Sequence, residues 1–547
     1  MHLPATDALA AARAVLARHF GFTDFRPLQQ RVVEAVLSGR DVLAVLPTGA
    51  GKSACFQVPA MLREGFILVL SPLISLMQDQ VAAARERGLP AAALNSALSP
   101  AGQRAVLDQC AAGLVRLLYT SPERLPRLER ELAERAVRPV AIAVDEAHCI
   151  SEWGHDFRPS YRALGRLRAA LGSPPVLALT GSATPEVRRD IRRTLRLRPG
   201  AAEVVGSFDR RNLAFIVRLV TGESGRLSAL LEELGRADRI AIVYAPTRRL
   251  TEALARTLAR HGRLAAPYHA GLAPPERKRT LQRFLDDDLE VVVATCAFGM
   301  GIDKPTVRLV VHWLMPPTPE SYYQEAGRAG RDGRPARCVL LYRAGDAALH
   351  RRQLDVTFPS RDLLERARHD PGQLVRLPAA VQASLARLAR ELGPDPSAAG
   401  WQAVRGRRRL AERRIAAMEA YAGGATCRRR ALVGWFGERL PRCSGCDRCG
   451  PSPSVPPVGP APLGRDAALV AHALRCWRDG VAHAAGLPRD DVLGDAALSG
   501  IACTRPQDRR ALGLIPNVGP RALARFAEPI LALVASSEHS PPTPRTE

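Results

Sequence analysis

Residues 41–53, DVLAVLPTGAGKS, decide the fold of the first half of the chain. An apolar run is followed by a glycine-rich turn, by Lys52 and Ser53, and then by a helical pattern. This order predicts a phosphate-binding loop, because the glycines let backbone N–H groups converge on phosphate oxygens at a helix N-terminus. Lys52 is expected to contact the β- and γ-phosphates, and the Ser53 hydroxyl is expected to ligate Mg²⁺. The predicted nucleotide-binding residues of this stretch are Thr48, Gly49, Gly51, Lys52 and Ser53.

One position departs from the G-x-x-x-x-G-K-[ST] pattern, because Leu46 stands where the first glycine is expected. A chance Gly-Lys-Ser turn is therefore the alternative interpretation. The rarity of lysine argues against it, since only three of the 78 basic residues are lysines and Lys52 is one of them. Lysine is a compact point charge that arginine does not replace at such a site. Its retention in an arginine-rich chain favours the phosphate-binding loop.

The bulk composition bounds the class of protein. A length of 547 residues predicts about three to four domains, and a net charge of +24 indicates a polyanionic partner, nucleic acid first. The alternative is an arginine-rich composition spread over every solvated face. No apolar run reaches membrane-spanning length and no secretory signal is evident, so we expect no membrane association and a cytoplasmic location. Eleven cysteines then indicate reduced thiols and a metal site.

A basic and aromatic segment, FGFTDFRPLQQ (20–30), precedes the phosphate loop by about 20 residues. Phe22 can stack on a purine, Arg26 can contact phosphate, and Gln29 can bind a base edge with its paired donor and acceptor. A hydrophobic helix start with a proline turn is the alternative.

After the phosphate loop, strand and helix patterns alternate, which predicts a mostly parallel sheet covered on both faces. The strand within 137–148 ends in Asp145 and Glu146. Asp145 is expected to hold Mg²⁺ through water, and Glu146 to orient or deprotonate the attacking water. An acidic pair after a strand is a weak signal by itself. Its place about 90 residues after a phosphate loop, in the same series of strands and helices, makes it specific.

These motifs, in this order, resemble the RecQ family of superfamily 2 DNA helicases. The resemblance rests on FGFTDFRPLQ, LPTGAGKS, SPLISLMQDQ, SPERL, DEAHCISEWGHDFRPSY, SFDRRNL, YHAGL, VVVATCAFGMGIDKP and SYYQEAGRAGRDG. It covers roughly residues 10–345 and implies an α/β fold of two tandem RecA-like domains with parallel sheets. It also implies ATP hydrolysis and 3′-to-5′ movement on DNA. Two departures from the family pattern are Leu28 in RPLQ and Gly181-Ser182 in TGSAT.

The resemblance also assigns roles around the nucleotide. The aromatic-rich loop between Ser151 and Tyr161 is expected to couple DNA contact to hydrolysis, since stacking side chains beside a basic group suit a single strand. Arg331 is the expected arginine finger across the interdomain cleft, and Arg328 a second γ-phosphate contact. The predicted DNA-coupling residues are Trp153, Phe157, Arg158, His148 and Gln324, and Asp303 and His269 are expected to link nucleotide state to DNA grip.

Four cysteines cluster in CRRRALVGWFGERLPRCSGCDRCG (427–450). Two CxxC steps share Cys446, so three thiolates lie on one tight turn and a fourth comes from a preceding helix start. This set predicts a closed structural zinc site, with an iron–sulfur cluster as the alternative. The predicted ligands are Cys427, Cys443, Cys446 and Cys449. The other seven cysteines are expected to be core residues.

The remaining chain is expected to be mostly helical. A helical insert is predicted between about 346 and 410, and a Pro-rich linker at 451–463. A winged-helix domain, which the family often carries after the zinc site, is expected to be missing. The stretch 474–526 resembles an HRDC domain, a small helical bundle. The expected domains are 1–206 and 207–345 (RecA-like), 346–450 (insert and zinc site), 464–536 (HRDC) and 537–547 (disordered tail).

Together these observations predict an ATP-dependent DNA helicase of recombination and repair that uses ATP, Mg²⁺ and Zn²⁺. The expected partners are single-stranded and branched DNA and a single-stranded-DNA-binding protein, with the chain as a monomer. One alternative is a DNA-stimulated translocase that unwinds duplex weakly, because the winged helix is missing. Another is a DNA-binding or annealing scaffold, and RNA remains an alternative substrate.

Overall fold

The structure is a computed structural model. It describes residues 5–47, 49–151, 154, 157–236, 240–299, 304–370, 372, 376–393, 398–450, 465–486, 492–513, 515, 518 and 520–536. The predicted linker at 451–463 and the predicted tail at 537–547 lie outside these residues, as do Thr48, Trp153 and Asp303.

The first part of the chain forms a sheet whose strands all run parallel, in the order β3-β4-β2-β5-β6-β1-β7. Strands such as VLAV and ILVL are buried along their whole length, because helices cover both faces of the sheet. The strands are β1 Val42–Val45, β2 Ile67–Leu70, β3 Ala91–Leu94, β4 Leu117–Thr120, β5 Ala141–Val144, β6 Val176–Thr180 and β7 Ala202–Val205.

The helices of this first lobe lie before and between these strands. They are α1 Ala5–Phe20, α2 Pro27–Leu37, α3 Ala54–Leu62, α4 Ile74–Glu86, α5 Pro100–Ala111, α6 Leu125–Glu134, α7 Leu164–Ala170 and α8 Pro185–Thr194. Short 3₁₀ helices span Ala147–Ile150 and Pro159–Ala163. Helix α8 begins where the Thr184 side chain accepts the N–H of Val187, which satisfies a donor that the helix itself leaves free.

A second parallel sheet follows, in the order β10-β11-β9-β12-β13-β8. Its strands are β8 Leu213–Leu219, β9 Ala241–Tyr244, β10 Ala265–Tyr268, β11 Val291–Ala294, β12 Leu309–His312 and β13 Ala336–Tyr342. Its helices are α9 Gly222–Arg236, α10 Arg248–Arg260, α11 Pro274–Leu285 and α12 Pro319–Ala326. The prediction of two parallel-sheet α/β domains is confirmed, and the chain passes between the two sheets over residues 206–212.

Helices fill the region between the second sheet and the cysteines, where the sequence predicts a helical insert. They are α13 Ala347–Thr357, α14 Arg361–His369, α15 Ala379–Leu392 and α16 Ala398–Gly423, followed by α17 Arg428–Trp435 beside the cysteines. Part of the insert has its own small core, built around Leu364, Leu385, Leu388 and Trp401. The insert is therefore a packed element and not a bare connection.

The chain divides into two compact units, Met1–Val455 and Pro456–Glu547. The described part of the second unit is helical: α18 Arg465–Ala485, α19 Asp495–Thr504, α20 Arg509–Gly513 and α21 Pro520–Ser536. It has a separate core that includes Leu474, Ile501 and Ile530. Among the described residues, no helix combines the length and the apolar character that crossing a membrane requires.

Candidate active site and metal centre

The order of the first sheet brings three distant motifs to one edge. Strand β6 lies between β1 and β5 and is parallel to both. The carboxyl ends of parallel strands meet at the same edge, so the segments that follow these three strands are neighbours. They are the phosphate-binding loop after β1, the pair Asp145-Glu146 after β5, and the TGSAT segment after β6.

The phosphate-binding loop has the backbone shape that its glycines predict. Gly49 and Gly51 have φ values of 82° and 72°, which L-residues with a side chain rarely adopt. Two side chains of the segment before β1 contact this loop: Arg26 Nη1 donates to Gly49 O at 2.7 Å, and Gln29 Nε2 donates to Ala50 O at 2.9 Å. A Cβ at Gly51 would lie 2.5 Å from Gln29 Nε2, so only glycine permits this approach.

Phe22, the third predicted nucleotide contact of that segment, is 63% exposed. A large aromatic ring in water gains free energy when a flat apolar partner covers it. The position of Phe22 ahead of α2 leaves its ring available for such a partner. Stacking on a purine stays a prediction.

Asp145 is held by groups from three segments. It is 6% exposed, and Gln80 Nε2 of α4 donates to its Oδ2 at 3.0 Å. Burial raises the pKa of Asp145 and the charge of Glu146 raises it further, whereas Gln80 and Lys52 act to lower it. The buried Asp145 carboxylate and the Ser53 hydroxyl of the phosphate-binding loop are the kinds of oxygen donor that Mg²⁺ prefers.

Glu146 has a left-handed backbone, with φ 48° and ψ 48°, which is uncommon for a residue with a side chain. Its Oε2 lies 3.2 Å from His148 Nδ1, and the same ring nitrogen lies 3.0 Å from Thr180 Oγ1. Burial acts to lower the pKa of His148, but Cys149 and Glu146 outweigh it and raise the pKa well above its usual value. His148 therefore connects the acidic pair to the end of β6.

Two side chains of the second lobe reach this edge. Gln324, in α12, donates from Nε2 to Ser182 Oγ at 2.6 Å, which joins the second lobe to the TGSAT segment of the first. Arg331 follows α12, and its Cγ lies 3.8 Å from where a Cβ would stand on Gly49. The predicted finger thus lies against the phosphate-binding loop. The departure at Ser182 supplies the hydroxyl that accepts from Gln324.

Arg328 and His269 have partners within the second lobe. Arg328 is 9% exposed and donates to Gly299 O, and its Nη2 lies 2.7 Å from where a Cβ would stand on that glycine. His269 Nε2 lies 3.0 Å from Glu252 Oε1. The expected γ-phosphate contact of Arg328 and the coupling role of His269 stay predictions.

The loop after the acidic pair is described in part. Arg158 Nη1 donates to Pro72 O at 2.6 Å, which attaches the loop to the segment before α4. The Phe157 ring lies under the guanidinium of Arg162, with 5.6 Å between the ring centre and Cζ. A Cβ at Gly154 would lie 2.3 Å from His148 O, so this position accepts only glycine.

The four predicted metal ligands come together. One sulfur atom from each of Cys427, Cys443, Cys446 and Cys449 lies within 4.8 Å of the others. Cys427 Sγ and Cys446 Sγ are 3.9 Å apart, close to the separation of about 3.8 Å that a tetrahedron with Zn–S bonds of 2.3 Å requires. A closed set of four thiolates fits a structural zinc ion.

The protein prepares one of these thiols for metal binding. Burial acts to raise the pKa of Cys446, but backbone N–H groups of Arg448, Arg428 and Cys449 lower it to about 7. A thiol with this pKa is already partly ionised at neutral pH, and the thiolate is the form that ligates zinc.

Two buried arginines attach the metal centre to the second sheet. Arg428 Nε donates to Asp447 Oδ1 at 3.0 Å, and Asp447 Oδ2 in turn accepts from Val217 N of β8 at 3.3 Å. Arg429 donates to Asp209 Oδ1 at 2.6 Å and to Leu213 O at the start of β8. Both arginines are at most 1% exposed. The net charge of +24 was interpreted as a sign of a polyanionic partner, and this structural use of two arginines was not predicted. The signal available was their position next to Cys427, since side chains at a metal site are buried with it.

The prediction for the remaining cysteines is wrong in part. Cys55, Cys110, Cys149 and Cys338 are buried, but Cys296 and Cys476 are exposed. Cys503 has no described side chain. The contact of Gln80, in SPLISLMQDQ, with Asp145 was not predicted either. An uncharged amide gives no chemical signal until its partner is known.

Four family models match the chain. They are DEAD/DEAH box helicase at residues 26–192, helicase conserved C-terminal domain at 225–333, RecQ zinc-binding at 389–450 and HRDC domain at 468–534. Each match falls on the part of the chain where the geometry above lies: the first lobe, the second lobe, the cysteine cluster and the helical C-terminal unit.

Known relatives agree with these matches. The ATP-dependent DNA helicase RecQ of Haemophilus influenzae is 38% identical over 439 residues, which are 80% of this chain and 63% of that protein. The RecQ of Bacillus subtilis is 44% identical over 63% of this chain and 58% of its own length. The probable ATP-dependent DNA helicase RecS of Bacillus subtilis is 43% identical over 61% of this chain and 67% of its own. The chain thus spans about three fifths of the first two relatives.

Solved structures share the fold of the two lobes. The DUF1998 helicase MrfA bound to DNA matches with a TM-score of 0.52 and 19% identity, over 61% of this chain and 51% of that one. Dbp5 of S. cerevisiae bound to RNA and ADP BeF3 matches with a TM-score of 0.51 and 18% identity, over 62% and 90%. From the sequence identities and the zinc-binding and HRDC matches, the chain belongs to the RecQ family of helicases.

Proposed function

We propose that the protein is an ATP-dependent DNA helicase that moves along single-stranded DNA and separates duplex or branched DNA. The observation that carries this proposal is the approach of Arg331 and Gln324, from the second lobe, to the loop with Gly49 and to Ser182 in the first. Two lobes that share one nucleotide site can convert hydrolysis into relative movement. Recombination and repair of DNA in the cytoplasm, at the nucleoid, is the proposed setting.

The residues divide the chemistry of hydrolysis between them. Lys52 neutralises the β- and γ-phosphates, and Asp145 with Ser53 would hold Mg²⁺, which supplies charge to the phosphate oxygens. Glu146 orients the attacking water or takes its proton, with His148 fixing its carboxylate. Arg331 adds positive charge only when the lobes are together. Hydrolysis therefore depends on closure, and loss of the γ-phosphate removes the charge that draws Arg331 in.

The loop that contains Phe157 and Arg158 supplies the link to DNA. One short 3₁₀ helix, Ala147–Ile150, separates it from the acidic pair, and Arg158 attaches it to the segment that precedes α4. Helix α4 in turn carries Gln80, the partner of Asp145. A DNA strand that moves this loop would therefore act on the acidic pair in two ways: through the chain that joins the loop to Glu146, and through α4, which carries Gln80. The net charge of +24 supports a polyanionic partner.

Strand separation tests the proposal directly. A forked DNA with a 3′ tail, a tailed duplex and a four-way junction are incubated with the protein and ATP, with single-stranded DNA or RNA as competitor. We expect strand release only with hydrolysable ATP, because opening base pairs requires repeated closure. DNA is expected to compete better than RNA. Lys52→Ala and Glu146→Gln are the controls, and each is expected to show no strand release.

Two results would contradict the proposal. DNA-stimulated hydrolysis without strand release would indicate a translocase, the alternative that rests on the expected absence of a winged helix. The zinc-binding and HRDC matches leave only residues 451–467 between them. Full function in the Lys52→Ala and Glu146→Gln variants would instead indicate an annealing or binding scaffold.

A prediction concerns Gln80 as the support of Asp145. Replacing Gln80 with alanine removes the amide that donates to Oδ2, so the carboxylate loses its orientation. Because such supporting partners typically contribute 10- to 100-fold in metal affinity or activity, the Mg²⁺ concentration for half-maximal ATP hydrolysis is expected to rise about tenfold. The measurement is a Mg²⁺ titration of turnover, together with the Mg²⁺ dependence of fluorescent-nucleotide binding. Gln78→Ala, an exposed neighbour on α4, is the matched control. Equal Mg²⁺ midpoints in Gln80→Ala and Gln78→Ala would show that Gln80 does not support Asp145 in Mg²⁺ binding.

A further inference from the structure

We propose that Arg414, on the long helix α16, is a positioning residue that joins the DNA-responsive loop to the helix α12 of the second lobe. This inference rests on the proposed function and adds a residue outside the motifs. Through Arg414, DNA contact at the loop reaches the lobe that supplies Gln324 and Arg331, without passing through the phosphate-binding loop.

Arg414 makes a two-ended connection. Its Nη1 donates to Gly154 O at 3.2 Å, and its Nε lies 3.3 Å from Glu320 Oε1. The side chains of Arg414 and Glu320 are 8% and 3% exposed. A buried guanidinium has to be neutralised and hydrogen-bonded, so these contacts are retained as long as the three segments stay together.

The loop end of the connection has little freedom. Gly154 N donates to Ser151 O at 2.8 Å, and a Cβ on Gly154 would stand 2.3 Å from His148 O. A shift of the Gly154 carbonyl therefore displaces the segment that carries His148. His148 contacts Glu146. A displacement of Gly154 O, the atom that Arg414 binds, would therefore be transmitted through His148 to the predicted catalytic carboxylate of Glu146.

The other end of the connection lies on α12. Glu320 is in the first turn of this helix, and Gln324 lies one turn later and contacts Ser182. Helix α16 contacts α12 a second time, where Tyr421 donates its hydroxyl hydrogen to Tyr322 Oη at 3.2 Å. Two contacts about two turns apart on α16 make the pair of helices move together. A change at Gly154 is thus transmitted to the helix that precedes Arg331.

The connection borders a cavity of about 320 Å³. Gly154 and Phe157 line it from the loop, Thr318 from the start of α12, and Arg414 from α16. Close-packed interiors resist displacement, whereas a cavity of this size admits a rearranged side chain. The Arg414 side chain can therefore rearrange beside the loop without unpacking either lobe.

The test separates coupling from folding. Arg414→Met removes the charge and the hydrogen bonds to Gly154 and Glu320. Arg414→Lys keeps the charge, but an ammonium lacks the planar fork that reaches two acceptors. Arg413→Ala, an exposed neighbour, is the matched control. For each variant, ATP turnover is measured without DNA and with saturating single-stranded DNA. Fluorescence anisotropy gives the DNA affinity, and thermal unfolding gives the melting temperature.

We expect Arg414→Met to lower the stimulation of turnover by DNA about tenfold, which lies within the usual range of coupling between two sites. Arg414→Lys should lose part of the stimulation at an unchanged melting temperature, and Arg413→Ala should keep all of it. Combined with Glu320→Gln, Arg414→Met should lose little more than either variant alone. Full stimulation in Arg414→Met, or equal loss of both turnover rates in Arg414→Lys, would overturn the inference. Wild-type protein without any DNA stimulation would overturn the proposed function as well.

Discussion

Replacing Arg331 with alanine is expected to lower DNA-stimulated ATP turnover by about 10³-fold or more, since an arginine that stabilises phosphoryl transfer contributes 10³- to 10⁵-fold. The side chain lies against the phosphate-binding loop, with Cγ 3.8 Å from a Cβ position on Gly49. Its charge counts most in the transition state, when negative charge spreads over the γ-phosphoryl oxygens. Nucleotide affinity should therefore change much less than turnover.

The measurement is steady-state hydrolysis with saturating DNA, beside equilibrium binding of a fluorescent ATP analogue. Arg334→Ala is the matched control, because Arg334 is exposed and only three residues away. Its turnover should remain near that of the wild type. Similar turnover in Arg331→Ala and Arg334→Ala would show that Arg331 is not the finger. Arg328, which donates to Gly299 in the second lobe, would then be the first candidate.

Loss of one zinc ligand is expected to unfold the cysteine segment. In Cys446→Ser, the thiol whose pKa is lowered to about 7 is replaced by a hydroxyl that does not ionise at neutral pH. Structural zinc sites contribute about 10–16 kcal/mol of folding free energy in small peptides, so a three-cysteine site should not hold the segment. Arg428 and Arg429 would lose their buried environment at the same time, and the contact with Asp209 near the second sheet would be lost.

Zinc content per chain, limited proteolysis and thermal unfolding measure this effect. The wild type should contain one zinc ion per chain and resist cleavage within 427–450, whereas Cys446→Ser should contain little zinc and be cleaved there. Cys476→Ser, an exposed cysteine of the C-terminal unit, is the matched control and should behave like the wild type. One zinc ion and unchanged protection in Cys446→Ser would exclude Cys446 as a ligand.

Short stretches of the sequence were sufficient for much of the fold. The apolar strands before the phosphate loop and before Asp145 are where the patterns predict them, because a strand buried on both faces needs a continuous apolar run. The cysteine cluster was equally visible, since two CxxC steps bring thiols together through a local turn. In each case, the residues that determine the local structure lie within about 25 positions of one another in the chain.

Contacts between distant segments could not be predicted in this way. Gln80 and Asp145 are 65 positions apart, and Arg414 and Gly154 are 260 apart. Neither Gln80 nor Arg414 has a side chain whose chemistry singles it out among neutral amides or among many arginines. The error on Cys296 and Cys476 has the same origin, because a scattered cysteine is buried or exposed according to the packing around it.

The residues alone therefore specify the chemical groups: a lysine on a glycine loop, an acidic pair after a strand, and four thiols at ligand spacing. These groups function through short-range backbone geometry, which a motif carries with it. The folded chain specifies which groups meet. The parallel order β5-β6-β1 aligns three loops at one edge, and the approach of the second lobe brings Arg331 to Gly49 and Gln324 to Ser182. That arrangement depends on packing free energy summed over both lobes, which no single stretch contains.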